Sequence, residues 1–175
     1  EALLQALETA VLRGVEVIMV VPEQMDQILV CLAQRSYYED MLDDGIRICC
    51  YGKRFLHAKH VSIDGQIAWI GSSNLDIRSF ALNAEIVVLL YDRAVTARLA
   101  LEQDRYLRDG VFLEAATWSK RPLRRKVAEN LAKPENRAAK RVESRSALVY
   151  ENLVIESYSR SSPNAIGCVA PSTSS

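Results

Sequence analysis

His57-Ala-Lys59-His-Val-Ser-Ile-Asp64-Gly-Gln-Ile-Ala-Trp-Ile-Gly71-Ser72-Ser73-Asn74 is the stretch around which this chain is organised. Residues 55 to 63 are apolar with polar interruptions, which predicts a β-strand. Side chains alternate between the two faces of a strand, so His57 and Lys59 would share one face and His60 would lie on the other. Asp64-Gly65 is typical of a type I′ hairpin turn, with residues 66 to 70 as the returning strand. Residues 71 to 74 would therefore end beside the start of the first strand.

The polar side chains that this hairpin brings together suit the transfer of a phosphodiester. A neutral imidazole at His57 can attack phosphorus or move a proton at neutral pH. Lys59 and the amide of Asn74 can stabilise charge on the non-bridging phosphate oxygens. The lysine supplies the charge that a metal ion supplies elsewhere, and two histidines on opposite strand faces could not share a zinc ion. We therefore expect a site without a metal or any other cofactor.

Six positions of this stretch resemble the HKD motif of the phospholipase D superfamily, in the spacing H-x-K-x4-D, six residues, G-S-x-N. They are His57, Lys59, Asp64, Gly71, Ser72 and Asn74. The continuation N-L-D-I-R-S-F-A-L-N-A-E at 74–85 resembles the second motif of bacterial cardiolipin synthases. The segments R-S-Y-Y-E-D-M-L-D-D-G-I-R-I at 35–48 and W-S-K-R-P-L at 118–123 are also similar to that family. The resemblance covers residues 1 to 133.

The resemblance implies a role for each matched polar residue. His57 is a catalytic histidine, Lys59 and Asn74 bind the substrate phosphate, and Ser72 lines the same site. Asp64 is either a further catalytic residue or a turn residue that holds the hairpin.

Residues after the motif are implied to support it. Glu85 matches the carboxylate that orients the histidine of a partner motif. Asp76, Arg78 and Ser79 are expected to fix the loop, and Arg78 can also meet a headgroup phosphate.

The family pairs two HKD motifs about a pseudo-twofold axis, and this chain contains one. One histidine attacks phosphorus to give a phosphohistidine, while the other protonates the leaving alcohol. The missing half is either an N-terminal domain or a second copy of this chain. The start at Glu1 rather than Met favours the first alternative. Whether His57 is the nucleophile or the general acid stays open.

The activity implied is that of a cardiolipin synthase-type phosphatidyltransferase, which converts two phosphatidylglycerols into cardiolipin and glycerol. The substrate implies association with the cytoplasmic side of a bacterial membrane. One alternative is a homodimeric phosphodiesterase or nuclease with a single motif. Another is a noncatalytic module that binds anionic lipid.

The charge of the chain is divided between its two parts. Residues 1–118 carry 11 Lys and Arg against 17 Asp and Glu, a net charge of −6, which argues against a nucleic-acid partner. Residues 119–175 carry 11 against 5, a net charge of +6. These basic residues can rest on an anionic bilayer or be simply solvated. They include Arg121, Arg124, Arg125, Lys126, Lys133, Arg137, Lys140, Arg141 and Arg145.

Composition and periodicity predict one α/β domain. The 175 residues are 49% hydrophobic, without an apolar run long enough to span a membrane. The four cysteines lack metal-ligand spacing and are expected to be reduced, with Cys49 and Cys50 facing opposite ways in a strand.

The order of predicted elements indicates a phospholipase D-like mixed sheet flanked by helices on both faces, an α/β/α sandwich that is one of two pseudo-repeated halves. Helices are predicted to residue 13, at 26–44, at 93–108 after an Asp92 cap, and at 118–133. Strands are predicted at 15–21, 46–51 and 85–91, besides the hairpin, with the first and last of these buried. Residues 1–133 form the predicted catalytic domain, and 134–175 a basic and then Ser-rich tail that we expect to be poorly ordered.

Overall fold

A computed structural model of the chain describes residues 2–24, 28–73, 75–76, 84–132, 149–150 and 154–159. The helices are α1 (Ala2–Leu12), α2 (Ile28–Arg35), α3 (Tyr38–Asp43), α4 (Arg93–Asp109), α5 (Ala115–Trp118) and α6 (Leu123–Ala132). The strands are β1 (Val15–Pro22), β2 (Arg47–Tyr51), β3 (His60–Ile63), β4 (Ile67–Gly71), β5 (Leu75–Asp76), β6 (Val87–Leu90), β7 (Gly110–Phe112), β8 (Val149–Tyr150) and β9 (Val154–Ser159).

A mixed sheet forms the middle layer, and its described strands have the order β6-β4-β3-β9-β1-β2-β7. β1 is parallel to β2, and β3 is parallel to β9, whereas the other neighbours are antiparallel. β5 pairs with β8 in a separate two-stranded sheet. The hairpin β3–β4 therefore lies between β9 and the edge strand β6.

Apolar side chains cover both faces of the sheet. On one face, Val17, Met19 and Val21 of β1 belong to a buried cluster against which α1 and α5 also pack. On the other face, Val20 of β1 belongs to a second cluster that packs against Tyr106 of α4. Because alternate residues of one strand enter different clusters, helices lie on both faces. The predicted α/β/α arrangement is confirmed.

Cys49 and Cys50 follow the same alternation in β2, as predicted. Cys49 lies in the second cluster and Cys50 packs against the first. Burial raises the pKa of the Cys49 thiol to about 12 and that of Cys50 to about 11. Both therefore stay protonated at neutral pH. Cys168 lies outside the described residues.

The predicted helix over 26–44 is wrong as a single element, since α2 ends at Arg35 and α3 begins at Tyr38. The turn between them is closed by a hydrogen bond from the Tyr37 amide to the Gln34 carbonyl. Tyr37, in this turn, is 6% exposed and enters the first cluster. Gly45, with φ of 89°, ends α3 as predicted.

The last predicted helix and the buried strand at 85–91 also differ from the structure. Residues 118–133 are not one helix, because α5 ends at Trp118 and α6 begins only after Pro122. β6 is not buried, because it is the edge strand beyond β4, and Val87, Val88 and Leu89 are each about half exposed.

The C-terminal part of the chain contributes β8 and β9. β9 lies between β1 and β3, so part of the predicted tail stands within the sheet. The domain end at residue 133 stays a prediction. No helix in the described ranges is both long and apolar enough to cross a membrane.

Candidate active site

The β3–β4 hairpin presents the motif. Asp64 and Gly65 have positive φ values of 50° and 63°, and the Ile63 carbonyl accepts a hydrogen bond from the Gln66 amide at 3.0 Å. Two left-handed residues inside such a bond are the mark of a type I′ turn, as predicted. Asp64 therefore has the backbone of a turn residue, and its catalytic role stays a prediction.

His57 and Lys59 precede β3 in an irregular segment rather than lying in a strand. The predicted strand over 55–63 is too long, because the pairing of β3 with β4 begins at His60 and Ile70. The predicted meeting of the two side chains nevertheless occurs. The Nζ atom of Lys59 lies 3.1 Å from Nε2 and 3.4 Å from Nδ1 of His57.

This contact places a cation at the edge of an imidazole. A lysine ammonium only donates hydrogen bonds, so it can pair with a ring nitrogen of His57 only where that nitrogen accepts. His57 is exposed, and its ring also stacks on that of Phe55, with centroids 5.9 Å apart and planes inclined by 17°. An unprotonated nitrogen open to solvent can act as a nucleophile or a base.

The chain returns beside Lys59 at the end of β4, as predicted. The Gly71 amide donates to the Lys59 carbonyl at 3.1 Å. A Cβ atom on Gly71 would lie 2.5 Å from the Ile86 carbonyl oxygen, so only glycine permits the segment before β6 to pack this closely.

Ser72 and Glu85 are joined directly. Ser72 Oγ donates to Glu85 Oε2 at 2.5 Å and accepts from the Ile86 amide at 3.1 Å. The Ser72 amide donates to the Ile86 carbonyl at 3.0 Å. Two of the predicted site residues are thus held together at the sheet edge next to the Lys59 backbone.

Several predicted residues cannot be placed. Asn74, Arg78 and Ser79 lie outside the described residues, and of Asp76 only the backbone in β5 is described.

A buried polar network behind the motif was not predicted. Gln103 of α4 is fully buried, accepts from Ser62 Oγ at 2.6 Å, and donates from Nε2 to His60 Nδ1 at 3.2 Å. His60 is 5% exposed, and burial lowers its pKa to about 4 despite the field of Glu102, which acts in the other direction. His60 and Ser62 alternate along β3, which indicates that they share a face, but their partner Gln103 lies about forty residues away in sequence.

Two of the basic residues considered for lipid contact are engaged elsewhere. Arg121 has a side chain only 9% exposed and forms ion pairs with Glu129 and Glu39. Lys126 also binds Glu39, and hydrogen bonds from Lys126 and Arg121 lower the pKa of Glu39. Arg121 and Lys126 therefore join α3 to α6 and to the turn before it, and lipid contact by them stays a prediction.

The other basic residues divide between two groups. Arg124 and Arg125 are exposed on α6. Lys133, Arg137, Lys140, Arg141 and Arg145 lie outside the described residues. Within the described ranges, no group of three His, Cys, Asp or Glu side chains could hold a metal ion.

Comparison with known proteins shows which family this chain is similar to. The family model described as "Cardiolipin synthase, PLD-like domain" matches residues 1–107. Cardiolipin synthase A of Serratia proteamaculans (strain 568) is 42% identical over 129 residues, which are 74% of this chain and 26% of the relative. Cardiolipin synthase A of Yersinia pseudotuberculosis serotype O:1b (strain IP 31758) is 40% identical over the same shares.

These relatives are much longer than their match to this chain, which spans about a quarter of their length. No solved structure matches. The family match covers more than half of the chain and includes the hairpin, Ser72 and Glu85. The chain therefore belongs to the PLD-like domain family of cardiolipin synthases.

Proposed function

We propose that this chain supplies one catalytic histidine and one phosphate-binding lysine for cardiolipin synthesis, in which two phosphatidylglycerols give cardiolipin and glycerol. The observation that carries the proposal is the exposed contact between His57 and Lys59, at 3.1 Å, on a chain whose relatives are named cardiolipin synthase A. An imidazole for phosphorus or proton transfer and an ammonium for phosphate charge are the groups that this reaction needs.

The reaction proceeds in two displacements. An imidazole nitrogen forms a bond to the phosphorus of phosphatidylglycerol. The bond from phosphorus to the oxygen of the headgroup glycerol breaks, and a second imidazole protonates that oxygen. The headgroup hydroxyl of another phosphatidylglycerol then attacks phosphorus and gives its proton to the second imidazole, while the phosphorus–nitrogen bond breaks. Lys59 stabilises the non-bridging oxygens in both steps.

The second imidazole comes from outside this chain. The chain has two histidines, and His60 is buried with Nδ1 accepting from Gln103, so a lipid phosphate cannot reach it. An N-terminal half with its own motif or a second copy of this chain supplies the group. His57 is then the nucleophile or the general acid and base, depending on which half is attacked first.

The remaining motif residues support this site. Asn74 binds the phosphate beside Lys59, and Ser72 lines the same pocket. Glu85, which accepts from Ser72 in the structure, orients the imidazole of the other half. The substrate places the assembled enzyme on the cytoplasmic side of a membrane, with anionic phospholipid as its partner.

Lipid mass spectrometry tests the proposal. Phosphatidylglycerol vesicles are incubated with the chain alone and with the part of the Serratia relative that lies outside its match to this chain. We expect cardiolipin and glycerol in equal amounts from the mixture, and a loss of at least about a thousandfold with His57→Ala. Arg98→Ala, which changes an exposed position of α4, is the matched control and should leave the yield unchanged.

Other products would point to other functions. Cardiolipin from the chain alone would mean that a second copy completes the site. Cleavage of a simple phosphodiester or of DNA, without any lipid product, would contradict the proposal in favour of a phosphodiesterase or nuclease. Vesicle binding that survives His57→Ala, with no product in any mixture, would favour a noncatalytic lipid-binding module.

A further inference from the structure

The segment between β2 and β3 carries an exposed aromatic side chain beside the candidate catalytic histidine. Phe55 is 71% exposed, in an irregular stretch of the chain. Leaving a phenyl ring in water forgoes the free energy that its burial would release. The position of this ring beside the candidate catalytic histidine makes it a candidate contact for the apolar part of a substrate surface.

The chain holds Phe55 outward from both sides. Lys53 Nζ donates to the two carboxylate oxygens of Asp109 at 2.9 and 3.0 Å, which ties this segment to the end of α4. Leu56 is 2% exposed and packs in the second apolar cluster. Phe55 therefore lies between a tether before it and a buried anchor after it.

The charge around Phe55 is opposite to that of the domain. The sequence has no Asp or Glu between Asp44 and Asp64, whereas residues 53–59 contain Lys53, Arg54 and Lys59. Two carboxylates lie beside the segment: Asp109 binds Lys53, and the Glu23 side chain lies against Gly52. Arg54 is exposed next to Phe55. A cation beside an exposed aromatic ring suits an anionic lipid surface, where charge attracts and the ring enters the apolar layer.

The distance from Phe55 to His57 agrees with the dimensions of such a surface. Apolar side chains of interfacial segments enter about 5 to 10 Å into the boundary between headgroups and acyl chains. The His57 ring lies 5.9 Å from the Phe55 ring. Because the two rings stack, a phenyl ring that enters this boundary holds the imidazole within a few ångströms of it, close to the headgroup phosphates.

We propose that Phe55, with Arg54 beside it, is the point at which this domain inserts into an anionic phospholipid bilayer, and that this insertion sets the depth of His57. The occupant follows from the charge and from the proposed function, on which the inference rests. Phe55 thereby positions the catalytic histidine relative to a lipid phosphate, and takes no part in bond making.

A tryptophan placed at this position reports its depth. Phe55→Trp is compared with the wild-type chain and with Leu12→Trp on vesicles of phosphatidylglycerol and phosphatidylcholine, with bromine at defined acyl positions. Leu12 is 86% exposed, and it precedes β1, at the opposite end of the sheet from the segment after β2, because β1 and β2 are parallel. We expect shallow bromine to quench the added fluorescence of Phe55→Trp and to leave that of Leu12→Trp unchanged.

A second pair of variants measures binding. Phe55→Ser should weaken binding to phosphatidylglycerol vesicles by about tenfold or more, with unchanged circular dichroism because the ring is exposed. Arg54→Gln should weaken it less, and only at low salt. The inference would be overturned if the introduced tryptophans of Phe55→Trp and Leu12→Trp were quenched equally on vesicles. It would also be overturned if Phe55→Ser left vesicle binding unaltered, or if the chain did not bind these vesicles.

These outcomes separate the inference from the proposed function. Quenching and binding need no turnover, so they can succeed with a chain that never yields cardiolipin. Cardiolipin synthesis on vesicles that is unaffected by Phe55→Ser would overturn the insertion and leave the proposed function standing. If both hold, Phe55→Ser should lower turnover on vesicles more than on short-chain phosphatidylglycerol below its micelle concentration.

Discussion

His57 and His60 stand three residues apart and occupy opposite environments. His57 precedes β3, is exposed, and meets the ammonium of Lys59 and the ring of Phe55. His60 begins β3, is 5% exposed, and accepts from Gln103. The difference arises because His57 lies in the irregular segment before β3, whereas His60 is paired in β3 and its side chain meets Gln103 of α4.

The two histidines show that residues on either side of the start of β3 can have different tasks. The buried histidine is one of the groups that fasten β3 to α4, together with Ser62 and Gln103. His57 is exposed to solvent and lies beside the ammonium of Lys59. The residues that we propose to react with the substrate are therefore distinct from those that fasten β3 to α4.

The largest effect should separate the two histidines by function. His57→Ala is expected to abolish cardiolipin formation in the reconstituted mixture, by at least about a thousandfold, because it removes a catalytic imidazole. Its free energy of unfolding should change by about 0.5 kcal/mol or less, since the side chain is exposed. Lipid mass spectrometry and chemical denaturation measure the two quantities.

His60→Ala provides the opposite case. It should leave the turnover of the folded fraction within a few-fold of wild type, but lower the free energy of unfolding by about 2 kcal/mol, because Gln103 loses its partner in the interior. Equal destabilisation by both substitutions would break the comparison.

The next effect concerns Lys59. Lys59→Ala should reduce cardiolipin formation about a hundredfold or more, because a donor to developing phosphate charge is lost. Lys59→Arg should restore part of that rate, since it keeps the charge while changing its geometry. Initial rates of cardiolipin formation at several phosphatidylglycerol concentrations measure both effects, with Arg98→Ala as the control. A Lys59→Ala variant with the wild-type rate would remove Lys59 from the site.

His60 should make stability depend on pH. Its pKa is about 4 in the folded chain, against an ordinary value of 6.5, so the unfolded state binds more protons between these values. Stability should therefore be complete above about pH 6.5 and fall as the pH is lowered to 4, by about 3 kcal/mol for this group. Denaturation of wild type and His60→Gln at pH 7 and pH 4.5 isolates its contribution. Parallel pH curves for the two proteins would show that His60 does not titrate as described.

The smallest effect tests the link from α4 to β3. Gln103→Leu should cost about 1 to 3 kcal/mol, because Ser62 and His60 would each lose a buried hydrogen-bond partner. Gln5→Leu, on the exposed side of α1, is the matched control and should change stability by about 0.5 kcal/mol or less. An equal effect of the two substitutions would mean that the network does not hold β3.

Local chemistry made part of the fold predictable. Asp64-Gly65 specifies its turn because both positions need positive φ, and Asp92 caps α4 by accepting from the Ala94 and Val95 amides. The meeting of His57 with Lys59 was also predicted from their spacing of two residues, although both lie before β3 and not in it.

Features that depend on distant partners could not be predicted. Within the described residues the ladders of β3 with β4 and β9 begin at His60, and such distant partners cannot be read from the sequence of residues 55–63 alone. The exposure of β6 depends on its place at the sheet edge, and apolar residues alone do not distinguish an edge strand from a buried one. The bond between Gln103 and His60 needed the packing of α4 to be known.

Selective modification of the two imidazoles tests whether His57 is the accessible and reactive histidine and His60 the buried one. Diethyl pyrocarbonate, which acylates neutral accessible imidazoles, is applied to the chain, and peptide mass spectrometry follows each histidine while cardiolipin formation in the reconstituted mixture is assayed. We predict that His57 is modified rapidly, that His60 is protected until the chain unfolds, and that activity falls in step with His57. Equal modification of both histidines, or full activity with His57 modified, would contradict the account.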